Sequence, residues 1–598
     1  MFFPAVLFAF FTIASSISDS IPYKVQKPPL DTDWTYQVGT NPWPEHPRPQ
    51  LQRSQWQSLN GIWTYEDAGS LDAVNDPPFN KSLHAEVLVP SCLESGLSGI
   101  QGNDTLYSWF QTTFEIPSNW TGNRVLLNFA AVDYEATVFV NGVQVAFHRG
   151  GYFTFTVDIT DNLIVGPNSL GIWQSVWIES VPAVYISNLD ITGDMYGNVN
   201  VTVSSESHQE VSISVIERGS GDVIGTGIGS TNEYFSFAVH SPKLWSPDSP
   251  TLYDVIVTLD EDTVQSYTGF RSITRQVVDG VQRPLLNGEF HFLFGTLDQG
   301  FWPDGLYVPP NREAMEYDIK TLKSLGMNML RKHASLPPTS ICSYSAKNAQ
   351  QIKVESALYY QSCDELGILV MQDMPCLRPQ DNPTPSPAQQ DEFNRQLALM
   401  VTQLRSHPSI FAWTIYNEGW GQLNDSASQP ALDRDLTATL HSLDPTRLVD
   451  TVSGWHDHGA GDLRDNHNYP HPMCGVPHTA PSPSGPNDPS RIGFQGEFGG
   501  LGQNLSLAHL WDVGQAIADV TATYRLYETT EAWNQASLDL IGELGRQAAR
   551  SSCSGGVWTQ TTDVEGEVNG VLSYDRRILR ADVRRWREGI GALDRRTE

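Results

Sequence analysis

The sequence predicts a multidomain protein of the α/β plus all-β class: two β-rich domains followed by a (β/α)8 barrel. Three observations carry this. The chain has 598 residues, too many for one core and suited to about three or four domains. Its first half alternates apolar and polar positions between turn signals, the period of half-buried strands. From Phe292 onward, short apolar runs alternate instead with helical segments, as in βα units.

The first β region, 31–180, is marked by "RVLLNF", "EATVFVNGVQVAFH" and "YFTFTVDI", with a hairpin turn at Val140–Gly142. The second, 181–275, contains "VYISNLDIT", "NVNVTV", "EVSISVIE" and "TLYDVIVTL". Its length and strand spacing suit an immunoglobulin-like sandwich. In the third, 283–598, eight strands are expected: Phe292–Leu297, Asn328–Arg331, Ile368–Asp373, Ile410–Asn417, Leu448–Ser453, Leu463–Tyr469, Ile492–Glu497 and Gly556–Thr561. Helical segments at Arg312–Leu325, Gln389–Arg405 and Leu432–Ser442 follow three of them. Eight such units predict a barrel, with an open doubly wound sheet as the alternative.

Composition narrows the function. A formal net charge of −31 argues against nucleic acid or an anionic membrane as partner. Residues 1–19 hold a short apolar run followed by small residues, the pattern of a signal peptide, although no Lys or Arg precedes it. A buried first strand is the alternative. Six N-x-S/T sequons, at Asn80, Asn103, Asn119, Asn200, Asn424 and Asn504, agree with a secreted glycoprotein. The six cysteines show no C-x-x-C pair, so zinc is not expected; one or two disulfides are, in a pairing that spacing does not fix. There is no G-x-G-x-x-G and no P-loop, so no nucleotide cofactor is expected.

In a barrel of this kind the chemistry sits at the C-terminal ends of the strands. "IFAWTIYNEGWGQ" places Glu418 at the end of the fourth strand, and "IGFQGEFGG" places Glu497 at the end of the seventh. Closure brings these distant residues to one mouth. Two facing carboxylates, one protonated and one ionised, are the machinery of glycoside hydrolysis. Trp413, Trp420 and Trp558 lie near strand ends and offer flat faces for a sugar ring, or else pack the core.

"RSHPSIFAWTIYNE", Arg405 to Glu418, resembles the acid/base signature of family 2 glycoside hydrolases, the β-galactosidase, β-glucuronidase and β-mannosidase group. "FAAVDYEATVFVNGVQVAFHRGGY" resembles the N-terminal jelly-roll, sugar-binding domain of that family. "LWSPDSPTLY" and "GFRSI" resemble the end of its immunoglobulin-like domain, and "LLNGEFHFLFGTLDQGFWPDG" resembles the entry to its barrel. The resemblance implies a retaining β-glycosidase; sodium or magnesium occurs in some members, but no ligand cluster in this sequence compels a metal, and no cofactor is expected. It implies Glu418 as general acid/base, Glu497 as nucleophile and Asn417 as the group binding the sugar 2-hydroxyl. Arg331 would hold the nucleophile ionised. Tyr469, Trp558, His467 and Asp373 are further site residues by position. The pKa of the acid is expected to stay high beside its charged partner. A β-glucuronidase would carry an Asn-x-Lys pair for the substrate carboxylate near the eighth strand. Asp563, Glu565 and Glu567 stand in that region and would repel an anionic sugar. A neutral substrate is therefore expected, with β-galactoside as the default and glucuronide, mannoside or a non-catalytic carbohydrate-binding role as alternatives.

Two stretches depart from the family pattern. At Leu170–Gly171, "VGPNSL" meets "GIWQSVWIE" directly, as though a strand and a loop were missing. Between Arg331 and Tyr359, the eighteen residues Ala334 to Gln351 carry no apolar period, and adjacent prolines at 337 and 338 forbid a helix. Removing them restores the family spacing from Arg331 to Tyr359, Tyr360, Asp364 and Gly367. We expect translated intron here, because eighteen codons keep the frame; a specificity loop at the barrel mouth is the rival, and the transcript sequence decides between them.

Overall fold

A computed structural model describes residues 21–598 except 75, 80, 82, 103–106, 165–167, 171–174, 334–352, 378–383, 424–427, 475–487, 521–522, 524, 551–552 and 595–598. The expected signal peptide, the anomalous stretch 334–351 with its Cys342, Gly171 and the sequons at Asn80, Asn103 and Asn424 lie outside the described residues.

The N-terminal region folds as two four-stranded sheets. One contains Trp56–Ser58, Val176–Val181, Arg124–Phe129 and Phe155–Asp158; the other contains Ala85–Val89, Gly61–Asp67, Ser108–Phe114 and Asn168–Leu170. Alternate residues such as Trp63, Leu127, Phe129 and Ile178 fill the space between them. Among the described residues, Asn168–Leu170 pairs on one side, with Ser108–Phe114, and stands at the edge of this sheet.

The next seven strands form a three-stranded sheet (Asn188–Gly193, Asn198–Ser204, Tyr234–Ala238) and a four-stranded one (Glu210–Glu217, Val223–Ser230, Tyr253–Leu259, Asp262–Thr268). Val199, Val201 and Val203 face Val211, Ile213 and Val215 across a dry core, the period-2 pattern that the valine spacing dictates. Arg53 bonds Glu179 at 2.5 Å and Asp262 at 2.8 Å, fixing the first sandwich to the second.

The barrel strands are β1 (Leu293–Asp298), β2 (Met329–Lys332), β3 (Leu369–Asp373), β4 (Ile410–Asn417), β5 (Leu448–Ser453), β6 (Leu463–His467), β7 (Ile492–Gly499) and β8 (Cys553–Thr559). They are parallel and hydrogen-bonded in the order β5-β4-β3-β2-β1-β8-β7-β6. The Asp462 amide donates to the Val449 carbonyl at 2.7 Å, bringing the two ends of that order side by side. Successive residues take opposite faces. Leu293, Met329, Leu369, Phe411, Leu448 and Val557 pack the barrel interior, where Trp245 and Tyr267 of the preceding domain join the same cluster. Phe294, Leu330, Val370 and Val449 face the helices. Because both faces are buried, each strand reads as an apolar run.

Helices α1 (Arg312–Ser324), α2 (Ala357–Leu366), α3 (Pro387–Leu404), α4 (Gln429–Leu443), α5 (Thr530–Arg550) and α6 (Val583–Asp594) cover the outside. Asn311 caps α1 through Ala314 N, and a Ser386–Gln389 capping box starts α3. The connection from β5 to β6 has no helix, so one of the eight expected βα units lacks its helical half. On either side of 334–352, His333 and Lys353 are buried, and Lys332 and Lys353 both reach Glu355 Oε1 at 2.7 Å. The two ends of that stretch thus meet in one ion-pair cluster.

Candidate active site

The C-terminal ends of β2, β3, β4, β6 and β7 bring Arg331, Asp373, Asn417, His467 and Glu497 together, with Glu418 immediately after β4 and Tyr469 after β6. Parallel register does much of this placing: Asn417 lies opposite Ser453, and His467 opposite Glu497. Glu418 has φ 52, a left-handed conformation that a bulky side chain rarely adopts, and its amide is held by the Ser453 carbonyl at 2.8 Å. Gly419 and Gly421 follow at positive φ, turning the chain sharply so that the Glu418 side chain stays at the mouth.

Arg331 is the hub and is 0 % exposed. It donates to Asp373 Oδ2 at 2.6 Å, to Asn417 Oδ1 at 2.8 Å and to Glu497 Oε1 at 3.2 Å. Burial disfavours its charge, but Asp373 and Glu497 more than offset that and hold its pKa above the usual arginine value. Asp373 also bonds His333 Nδ1 at 2.7 Å. Burial raises the Asp373 pKa, yet Arg331 and His333 bring it below the usual carboxylate value. Asp373 is therefore spent on orienting Arg331 and does not face a ligand. Asn417 uses its carbonyl oxygen on Arg331.

Glu497 accepts from Arg331 through one oxygen and from the Tyr469 hydroxyl through the other. Glu418 accepts from His467 Nδ1 at 2.8 Å. Burial raises the Glu418 pKa, but the His467 hydrogen bond and the His467, His333 and Arg331 charges lower it further, so it lies below the usual value. This corrects the expectation of a high pKa for the acid, because no sequence pattern revealed an imidazole on Glu418. His467 was expected to bind substrate; both its nitrogens are instead engaged within the protein, Nδ1 by Glu418 and Nε2 by Ser453 Oγ at 2.9 Å. A carboxylate oxygen from each glutamate and a ring nitrogen of His467 all lie within 4.8 Å of one another. These three side chains are close enough to converge on a cation, but Arg331 already supplies positive charge there, and we assign no metal to them.

The tryptophans divide. Trp558 is 0 % exposed and packs against Phe498, Trp533 and Trp586, so it is core and not a platform for a sugar. Trp413 points outward to the helices, with its ring N–H on Asp444 at 3.1 Å. Only Trp420, 38 % exposed in the turn after Glu418, keeps an open face among the three. Beyond β8, Asp563 is paired with Arg580 at 2.6 Å. Glu567 accepts from Gln560 at 3.2 Å, and burial together with the charge of Glu497 pushes its pKa up to about 7. Sequence reasoning missed Ser453, Asp465 and His333. Ser453 and Asp465 lie on the fifth and sixth expected strands, and His333 stands two residues beyond Arg331, but only register shows what they touch.

Three domain models of one family match the chain in order: the glycosyl hydrolase family 2 sugar-binding domain at 57–202, the central family 2 domain at 184–271 and the family 2 TIM barrel domain at 311–470. The chain belongs to glycoside hydrolase family 2. It is 25 % identical over 449 residues to a putative β-glucuronidase of Formosa agariphila, covering 65 % of this chain and 50 % of that protein. It is 22 % identical over 513 residues to a β-galactosidase of Halalkalibacterium halodurans, covering 73 % and 47 %. The chain thus spans about half the length of these curated relatives. Among solved structures, the β-glucuronidase of Ruminococcus gnavus superposes with a TM-score of 0.66 at 14 % identity, covering 91 % of this chain and 98 % of that one. That likeness supports the order of two β domains and a barrel.

Proposed function

We propose that this family 2 chain is a secreted, retaining exo-β-glycosidase that removes terminal neutral sugars, β-galactosides first. One observation carries the reading: an oxygen of Glu418 and an oxygen of Glu497 lie within 4.8 Å of each other at the ends of β4 and β7, too close for a water to fit between them. Retaining enzymes place the pair about 5–5.5 Å apart, inverting ones about 6.5–9.5 Å to admit water between them. Glu497, hydrogen-bonded by Arg331 and Tyr469, attacks the anomeric carbon while Glu418 protonates the leaving oxygen. Water, activated by Glu418, then releases the sugar from Glu497. In this reading the Asn417 amide donates to the sugar 2-hydroxyl.

Relatives named β-glucuronidase make glucuronide the second reading. Glu567 weighs against it, because a carboxyl that acts electrostatically on Glu497 would repel a uronate. The leader-like residues 1–19 and the Cys474–Cys553 disulfide support an oxidising, extracellular setting.

The test is a panel of p-nitrophenyl β-galactoside, glucuronide, mannoside and arabinoside, with the anomeric product followed by proton NMR. Turnover of the galactoside with retention is expected, and Glu497→Gln should lose roughly 10⁴-fold or more in kcat. Faster turnover of the glucuronide hands the site to the second reading. No turnover of any glycoside leaves a carbohydrate-binding protein.

A further inference from the structure

Glu497 and Glu418 stand at different depths in the mouth. The Glu497 side chain is 5 % exposed and the Glu418 side chain 17 %. In the hydrolase reading the sugar that becomes esterified therefore lies inward, against Glu497, and the leaving oxygen lies outward, against Glu418. Whatever hangs on that oxygen extends over the turn that follows β4.

That turn, Gly419 to Gly421, is clamped from both sides. The Trp420 amide donates to the Asn417 carbonyl at 2.8 Å. The His456 ring, from the loop after β5, lies so close over Gly419 that a Cβ there would stand 2.7 Å from Cδ2. Beyond β3, the Leu377 carbonyl would collide with a Cβ at Gly421. The two glycines let the backbone pack down on either side of Trp420, whose indole is left 38 % exposed. Among the described residues Trp420 is the only exposed tryptophan; the others are buried or half-buried. Packing does not account for an indole held in water two residues beyond Glu418.

We propose that Trp420 is the platform of the leaving-group subsite, its indole stacking on the apolar C–H face of a second pyranose, so that the substrate is a β-linked di- or oligosaccharide. This rests on the retaining-hydrolase reading above and deepens it by naming the class of leaving group. Trp420 acts in the first step, when the C–O bond breaks, Glu418 gives its proton to the leaving oxygen and Glu497 bonds to the anomeric carbon. In the second step the leaving sugar is gone. Water gives a proton to Glu418 as its oxygen displaces Glu497. A sugar hydroxyl can replace that water, forming a new glycosidic bond with the same proton balance, and the acceptor sugar then sits on the same indole.

The experiment uses the full chain and the sugar identified by the panel, presented as its methyl β-glycoside, its p-nitrophenyl β-glycoside and a β-linked disaccharide. In Trp420→Ala the ratio of kcat/KM for the disaccharide to that for the methyl glycoside should fall about tenfold, and Trp420→Phe, which keeps a flat ring, should restore most of it. Equal losses on both substrates report a disturbed Glu418 turn; they overturn the inference and leave the hydrolase reading intact. A loss on the p-nitrophenyl glycoside with none on the disaccharide assigns the platform to aryl leaving groups and also overturns it. If Trp420→Ala does not fold, the intact chain is tested by transfer from the p-nitrophenyl glycoside. Glucose should then divert product into disaccharide more effectively than glycerol at the same concentration, and no preference for glucose overturns the inference. No turnover by the intact chain removes both readings.

Discussion

Arg331 donates to Asp373, Asn417 and Glu497 at once, so one fully buried guanidinium ties together the ends of three other strands. Its role was legible because "NMLRKH" places it at a strand end, where barrel chemistry gathers. The states of Glu418 and His467 were not, because a pKa depends on what crosses from other strands. Glu567 carries a prediction at this scale. Its pKa is raised from 4.5 to about 7. Across that window the unfolded chain releases this proton while the folded chain keeps it, so stability falls as pH rises and the penalty is complete above about 7. Glu567→Gln should therefore be more stable than the intact protein at pH 8, by roughly 1–3 kcal/mol, and melt higher there, with no difference at pH 4. Thermal unfolding at the two pH values checks this.

The stretch "RSHPSIFAWTIYNE" was read as one catalytic signature, but the folded element divides it. Arg405 reaches Asp190 of the immunoglobulin-like domain at 2.6 Å, and His407 reaches Asp364 on α2 at 2.7 Å. Trp413 fills the layer between β4 and the helices, and only Asn417 and Glu418 arrive at the mouth. The front of the signature thus holds β4 in place, and its end reaches the barrel mouth, where the proposed chemistry lies. Asp364 is the keystone, accepting from Tyr267 Oη at 2.7 Å and from the Ser409 amide at 2.8 Å as well as from His407. Asp364→Ala strands three buried donors and should cost about 3–5 kcal/mol in urea unfolding. The kcat of the molecules that remain folded should not change, because Asp364 touches nothing at the mouth. The eight strands were readable because burial on both faces makes each a continuous apolar run. Trp558 was misread because a tryptophan at a strand end has the same sequence pattern whether it faces the mouth or Trp533 and Trp586.

Across the whole molecule, the Cys474–Cys553 disulfide joins the segment after β6 to the start of β8, closing a separation of 79 residues. Loss of chain entropy in the unfolded state predicts a stabilisation of about 4 kcal/mol for a loop of this size. Cys474→Ser, or reduction of the intact protein, should lower the melting temperature accordingly, with the barrel still formed. Sequence could count the cysteines but not pair them, because pairing is set by which loops meet. By itself the sequence determined the order of two β domains and a barrel, the eight strand positions and the two glutamates, since apolar period and strand-end position are local properties of the chain. Only the tertiary structure decided that Asp373 and His467 serve other protein groups, that Trp558 is core and that Glu567 bears on Glu497. Each of those depends on burial and charge contributed by residues brought together by closure of the barrel.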